Sequence, residues 1–590
     1  PGEAARIHYY GTRIEENRIQ QIFDSNLAFH SESYPAFGIY SYNDKAMQVT
    51  HGDGNMSLDL AVESVKQYTV AEAEITEILL KDKVYPFFVK QCYKAYKNSD
   101  VIGTWVEVTN QEKKPVTMYK FASAFIPVRR GDNWLTHFHG TWGAENMLQE
   151  ERLTDGQKII KNEDGVRNTT NENPSFMLTL DGKPQEETGH VFGASLAWSG
   201  NYTLKLDVDN NRIIKIYAGI NEDASYYTLD PKKTFVTPEF AMTYSTTGKG
   251  GVSRNFHRWA RMYKLSHADS DRDILLNSWE GVYFKVDQEV MAQMMKDMSQ
   301  LGGELFVMDD GWFGDKYPRD GGSTSLGDWV VCKKKLPQGI EGLIASAKKC
   351  GIKFGLWIEP EMVNSKSELY EKHPDWIICQ DNRTPTTGRG GTQMILDLSN
   401  PKVQDFVFGV VDNLMTNYPE IAYIKWDANA SIMNYGSYYL PKDRQSHLYI
   451  EYHKGLNNVL ERIRTKYPHL LMQACASGGS RVNYGLLPYF GEFWTSDNTD
   501  AYQRIYMQWG VSNFYPAIAM ASHVSADKNH QTGRRTPLKF RFDVAMSGRL
   551  GMEMQPKDMT DGDKEFAKRA IKAYKEIRPI VQHGDCLLYT

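Results

Sequence analysis

From about residue 272 onward the chain repeats one rhythm: a short apolar strand, a loop carrying carboxylates or tryptophan, then an amphipathic helix. ILLNSW opens the series. VMAQMMKDMSQL follows it, with Met291, Met294, Met295, Met298 and Leu301 at the i, i+3, i+4, i+7 spacing of one helix face, read here as core. Further strand candidates are ELFVMDD, KFGLWIEPE, MILDL, AYIKWDAN, LMQACASG, EFWTSD, PAIAMASH and RFDVAMSG, most of them separated by helices such as VQDFVFGVVDNLMTNY. Repeating βα units make a parallel sheet, because parallel neighbours must be joined by a crossover. A closed (β/α)8 barrel takes eight strands and nine candidates are present. MILDL is the one to set aside, since no clear helix separates it from the loop before it. A doubly wound sheet would hold all nine and is the structural alternative.

The first part of the chain reads differently. At 590 residues the chain exceeds the roughly 250–300 at which a single core stops growing, so more than one domain is expected. Residues 1–245 alternate in short β-branched stretches such as KPVTMYKFASAFIPV, NYTLKLDVD and RIIKIYAGI, which predict a β-sandwich. TTGKGGVS breaks that pattern and RNFHRWARMYKL reads as a helix, so residues 246–271 are taken as a linker with a helix. The barrel then spans 272–575, and 576–590 reads as the start of a C-terminal β segment. The opening PGEAARIHYY has neither an apolar signal core nor an initiator Met, which suggests a piece of a longer gene product.

Composition narrows the partners. A net charge of −5 gives no electrostatic reason to expect nucleic acid or an anionic membrane, and no run approaches the roughly 18 apolar residues of a membrane span. The six cysteines show no CxxC and no regular spacing; they read as free thiols, which favours a cytoplasmic over a periplasmic location. HEXXH, GXSXG and the P-loop are absent, and no His, Cys and Asp cluster suggests a metal, so no cofactor is expected. The 13 Trp and 34 Tyr suit the C–H faces of sugars, and equally the core of a large β-domain.

In a (β/α)8 barrel the active site lies at the C-terminal ends of the strands. Those ends here read Asn277-Ser278-Trp279, Asp309-Asp310-Gly311-Trp312, Trp357-Ile358-Glu359, Lys425-Trp426-Asp427, Cys475-Ala476-Ser477-Gly478-Gly479 and Trp494-Thr495-Ser496-Asp497. A ring of carboxylates, one Lys and several Trp is the lining expected of a sugar pocket. Glycosidic cleavage needs two carboxyl groups, one to protonate the leaving oxygen and one to attack or to activate water. Lys425 and Asp427 occupy alternate positions of one strand, so their side chains share a face and the ammonium would keep Asp427 ionised. An ion pair at a strand end is the competing reading of Asp427, an Asx turn or helix cap that of Asp497, and a turn that of Asp309 and Asp310. Glu359 and Glu361, flanking Pro360, are alternative catalytic carboxylates.

The motifs FVMDDGWFG, GLWIEPEMVN, LDLSNP, YIKWD, CASGGSR and WTSDNTDA occur in this order between residues 306 and 501. With them the chain resembles glycoside hydrolase family 36, the bacterial α-galactosidases, from about residue 275 to the end. The resemblance implies a retaining double displacement on terminal α-galactosides, with Asp427 as nucleophile and Asp497 as acid/base. It also implies that Asp309 and Asp310 bind the 4- and 6-hydroxyls, Lys425 the 3- and 4-hydroxyls and Trp357 the ring face, with Cys475 and Gly478 beside the 2-hydroxyl. Asn429, Arg389 and Trp279 would complete the pocket. The implied partners are a small or oligosaccharide α-galactoside and further copies of the chain, in a tetramer. The best-known subgroup reads KWDMNR and CxxGGGRFD, whereas this chain has KWDANAS, with Ala430 in place of Arg, and Ser480 and Asn483 in the second motif. That leaves α-N-acetylgalactosaminidase as the alternative, followed by galactosyl transfer and, last, a non-catalytic carbohydrate-binding protein.

Overall fold

The computed structural model describes residues 3–23, 31–39, 44–209 and 213–586. Eight parallel strands close into a barrel: β1 (Leu275–Asn277), β2 (Leu305–Met308), β3 (Lys353–Ile358), β4 (Ile421–Trp426), β5 (Leu471–Ala474), β6 (Glu492–Trp494), β7 (Met520–Ser525) and β8 (Arg549–Glu553). Pairing of Leu275 with Gly551 brings the last strand back to the first, which rules out the open doubly wound sheet. The helices between strands bury one face each. In Gln288–Leu301 the four Met and Leu301 face the core, Asp287 caps the first turn by accepting from the amides of Glu289 and Val290, and Gly302 ends the helix at φ +96°.

MILDL lies outside the barrel as expected, Met394–Ile395 pairing antiparallel with Met362–Val363. RFDVAMSG, however, is not a strand. Residues Leu538–Ala545 form a helix starting after Pro537, and the eighth strand is the RLGME that follows. The charges of RLGME disguised it: Arg549 is fully buried at the base of the barrel, its guanidinium 3.3 Å from Glu492 and over the Tyr423 ring, a neutralisation no single strand reveals.

The N-terminal part is sheet-rich. Four ten-residue strands, Leu60–Thr69, Ala73–Asp82, Phe87–Tyr96 and Val101–Asn110, make one end of a large antiparallel sheet. A four-stranded sheet of Gly156–Asn162, Tyr202–Val208, Ile213–Ile220 and Ala124–Arg129 shares one apolar core with it, to which Val89, Val106, Leu204 and Ile216 contribute. The stretch KPVTMYKFASAFIPV supplies two strands, Val116–Phe121 and Ala124–Arg129. The Gly-rich TTGKGGVS is itself the start of a helix, Gly248–Trp259, rather than a break before one. Its glycines permit close packing: Gly248 has φ +70°, and a Cβ on Gly251 would come 2.0 Å from Ser245 Oγ.

At the other end, residues 576–583 continue the helix Asp561–His583 instead of beginning a β segment. Thr560 and Asp563 form a capping box, and Ala567, Ile571 and Tyr574 bury at i, i+4, i+7. Residues 587–590 of the expected β segment lie outside the described residues.

Candidate functional site

The barrel mouth gathers the polar strand ends into one pocket. Lys425, at the penultimate position of β4, extends across to β2 and donates to Asp309 Oδ2 at 2.8 Å, and Asn277 from the end of β1 donates to the same oxygen at 2.7 Å. The direct ion pair of Lys425 is therefore with Asp309 and not with Asp427, so the competing strand-end ion-pair reading of Asp427 does not hold. Residue 427 has passed the end of the strand, and its carboxyl turns toward the loop after β5. Asp310 is held by a buried bidentate pair with Arg319, at 2.9 and 2.8 Å, leaving each oxygen a further lone pair. Gly311 follows at φ +122°, where a side chain would be strained.

Asp427 is held by four donors. Oδ1 accepts from the amides of Ala428 (2.8 Å) and Ser477 (3.2 Å); Oδ2 accepts from Asn429 Nδ2 (2.8 Å) and Trp357 Nε1 (3.2 Å). Burial works to raise its pKa, but the charges of Lys425 and Arg389 and the Asn429 hydrogen bond outweigh it, and the carboxyl lies below the ordinary Asp range. Asp497 stands the other way: burial and then the Asp427 charge push it up, against Lys425, Trp142 and Arg389. Among the described residues its oxygens accept only the indole N–H groups of Trp494 (3.2 Å, Oδ1) and Trp142 (3.3 Å, Oδ2). One buried carboxyl is thus held ionised and its neighbour biased toward the acid form, the division of labour that glycosidic cleavage uses.

The other expected residues lie around this pair. Trp357 is almost wholly buried and parallel to Phe313, with its N–H on Asp427. Asn429 also accepts from Ser477 Oγ at 2.6 Å, and the Cys475 thiol is raised by burial and by the Asp427 charge. Gly478, at φ +92°, lies where a Cβ would come 2.6 Å from the Asp497 amide. Arg389 donates to Gln393 Oε1 at 3.3 Å and sits 3.9 Å from Glu359. Trp279 is half-buried at the rim, edge-on to Tyr283 and Phe284.

The two alternative carboxylates separate. Glu361 accepts from Arg481 at 2.7 and 2.9 Å, from Tyr452 at 2.5 Å and from Trp426 Nε1 at 2.8 Å, so it is fully engaged beneath the pocket. Arg481→Met is expected to lower unfolding stability by about 3–5 kcal/mol, because it strands a buried carboxylate. Denaturant melts read this, and an unchanged midpoint would refute it. Glu359 accepts from Gln393 and from the Asn429 amide, and burial followed by the Asp427 charge raises it to about 7.

Sequence reasoning missed Arg319, for which PRDGG gave no signal. It also missed the loop of residues 141–146, which the N-terminal domain lays over Asp497; its Trp142 carries no periodicity or motif that would single it out.

Two family models cover the chain: the Glycosyl hydrolase family 36 N-terminal domain matches residues 3–230, and Melibiase matches residues 234–584. This chain belongs to glycoside hydrolase family 36. Among curated relatives of the family it is 35% identical to alpha-galactosidase AgaA of Geobacillus stearothermophilus, over 94% of this chain and 77% of that protein. It is 33% identical to alpha-galactosidase Mel36A of Lactobacillus acidophilus, over 98% of this chain and 82% of that one. The crystal structure of a variant of the Geobacillus enzyme in complex with stachyose superposes with a TM-score of 0.93 at 34% identity, covering 99% of this chain and 85% of that chain.

Proposed function

We propose that this family 36 chain is an α-galactosidase that releases terminal α-linked galactose from oligosaccharides with retention of configuration. The observation that carries the reading is the opposed state of two neighbouring carboxyls in one pocket, Asp427 below and Asp497 above the ordinary Asp range. Asp427 attacks the anomeric carbon while Asp497 gives its proton to the departing glycosidic oxygen. Asp497 then takes a proton from water, the water oxygen bonds to the anomeric carbon, and the ester bond to Asp427 breaks. The four donors on Asp427 fix its direction of attack, and the few donors on Asp497 leave it able to carry a proton.

In this assignment Asp309, Asp310 and Lys425 bind the galactose hydroxyls, with Arg389 and Asn429 completing the ring and Trp357 and Trp279 shaping the pocket. Cys475 and Gly478 border the 2-position. Two departures from the best-known subgroup do not open that region to a larger substituent: Ser480 and Asn483 are closed off from solvent, and Asn483 caps a turn by accepting from the Gly485 and Leu486 amides. The Geobacillus relative is described in complex with stachyose and with raffinose, both galactosides, which supports an oligosaccharide substrate here.

The decisive test is hydrolysis of para-nitrophenyl α-galactoside beside the α-N-acetylgalactosaminide. Release from the first alone is expected; preference for the second would move the assignment to N-acetylgalactosamine, and a dominant transfer product with excess acceptor would move it to galactosyl transfer. Self-association belongs to the same proposal. The helix Ala501–Ser512 exposes Tyr502, Ile505, Tyr506 and Trp509 on one face, an apolar stripe suited to another copy of the chain. Sedimentation should give an assembly, a tetramer by family resemblance; a monomer would contradict it.

A further inference from the structure

The loop of residues 141–146 belongs to the N-terminal domain, yet it is clasped to the acid/base turn after β6. Trp142 donates to Asp497, Asn498 Nδ2 donates to the Gly143 carbonyl at 2.9 Å, and Ser496 Oγ donates to Glu145 Oε2 at 2.5 Å. Glu145 is completely buried. Among the described residues its Oε1 receives no hydrogen bond, and it faces Gly478, where a Cβ would come within 2.7 Å.

A bare carboxylate oxygen in such a place is costly, so the neutral form is favoured. Burial raises the Glu145 carboxyl to about 7, opposed by the Ser496 hydroxyl and reinforced by the charge of Asp497. Arg504 feels the Glu145 charge but spends its donors on the Asn498, Ser496 and Ala521 carbonyls and on Gln508.

We propose that Glu145 is a positioning residue of the glycosidic step, fixing the Ser496-Asp497-Asn498 turn from the sandwich domain so that Asp497 is held toward the departing oxygen. The proposal rests on the reading of Asp497 as the acid/base. Asp497 is also faced by Asp427 and Lys425 from β4, Cys475 after β5, Arg389, Arg504, His530 and Glu553. None of these groups changes in a Glu145 variant, so a loss confined to raffinose reports the turn that Glu145 holds.

The experiment is the pH profile of kcat/KM for Glu145→Gln and Glu145→Asp on raffinose and on an activated aryl α-galactoside, with thermal melts beside it. Glu145→Gln keeps an acceptor for Ser496 and resembles the neutral carboxyl; its alkaline limb and its kcat on raffinose should both stay close to those of the parent enzyme. Glu145→Asp keeps the charge and shortens the reach; its limb should stay while kcat on raffinose falls about tenfold, less than the roughly 10²–10⁴ an acid itself contributes. Activity on the aryl substrate near the optimum should change little in both. An undiminished kcat on raffinose in a folded Glu145→Asp, or equal loss on both substrates, overturns the proposal. Failure of the underlying reading shows separately, as equal loss on both substrates in Asp497→Ala.

Discussion

Asp427→Ala is expected to lose on the order of 10⁴- to 10⁶-fold in kcat on every α-galactoside, whatever its leaving group, because the bond to the anomeric carbon is made by this carboxylate in the first step and broken in the second. No neighbouring group can replace it. Glu359 is nearby, but burial and the Asp427 charge raise it to about 7, and its Oε1 is committed to Gln393 and the Asn429 amide. The variant opens the space of one carboxylate and leaves the four donors from Ala428, Ser477, Asn429 and Trp357 facing it. Azide supplied with an activated aryl galactoside should occupy that space and yield β-galactosyl azide, the product of a single displacement. Loss of activity with no rescue in a protein that melts normally would be compatible with the assignment; rescue giving the α-azide would not.

Asp497→Ala should divide substrates by leaving group. On raffinose, whose departing sugar alkoxide must be protonated, a loss of about 10²- to 10⁴-fold is expected, whereas the first step on a dinitrophenyl galactoside should be nearly untouched. The second step loses its base in both cases, so the galactosyl-enzyme should accumulate and appear as a burst, relieved by azide to give the α-azide. The sign of the pH effect follows from the raised Asp497 pKa: the acid form acts below that pKa and is lost as pH rises through it, so the alkaline limb of kcat/KM on raffinose belongs to this group. That limb should flatten in Asp497→Ala. Equal loss on both substrates, with the limb retained, would remove Asp497 from the role.

Much of this site is legible in the sequence because of a geometric rule. A parallel barrel places the C-terminal end of every strand on one rim, so Asp309, Trp357, Lys425, Asp427, Cys475 and Asp497 must lie around a common opening once the βα units are recognised. The rule says nothing about pairing within the ring: Lys425 shares a face with Asp427 on its own strand, but its ammonium donates across to Asp309. It also fails for strands whose charges are neutralised inside. RLGME looks too polar for a buried strand until Glu492 is brought to Arg549.

By itself the sequence determined the repeating βα order, the helix faces with their caps, the sheet-rich first part, and the residue types at each strand end. These are local properties, carried by periods of 2 and 3.6 and by turn chemistry. Tertiary structure decided how far the two aspartates diverge, Asp427 held below and Asp497 raised above the ordinary Asp range, since a pKa depends on the burial and charge assembled around a group as well as on its neighbours in the chain. It alone brought Trp142 across 355 positions to Asp497 and placed Glu145 beneath the same turn. Such contacts have no periodicity and no spacing; they exist only because the N-terminal sheets pack against the rim of the barrel.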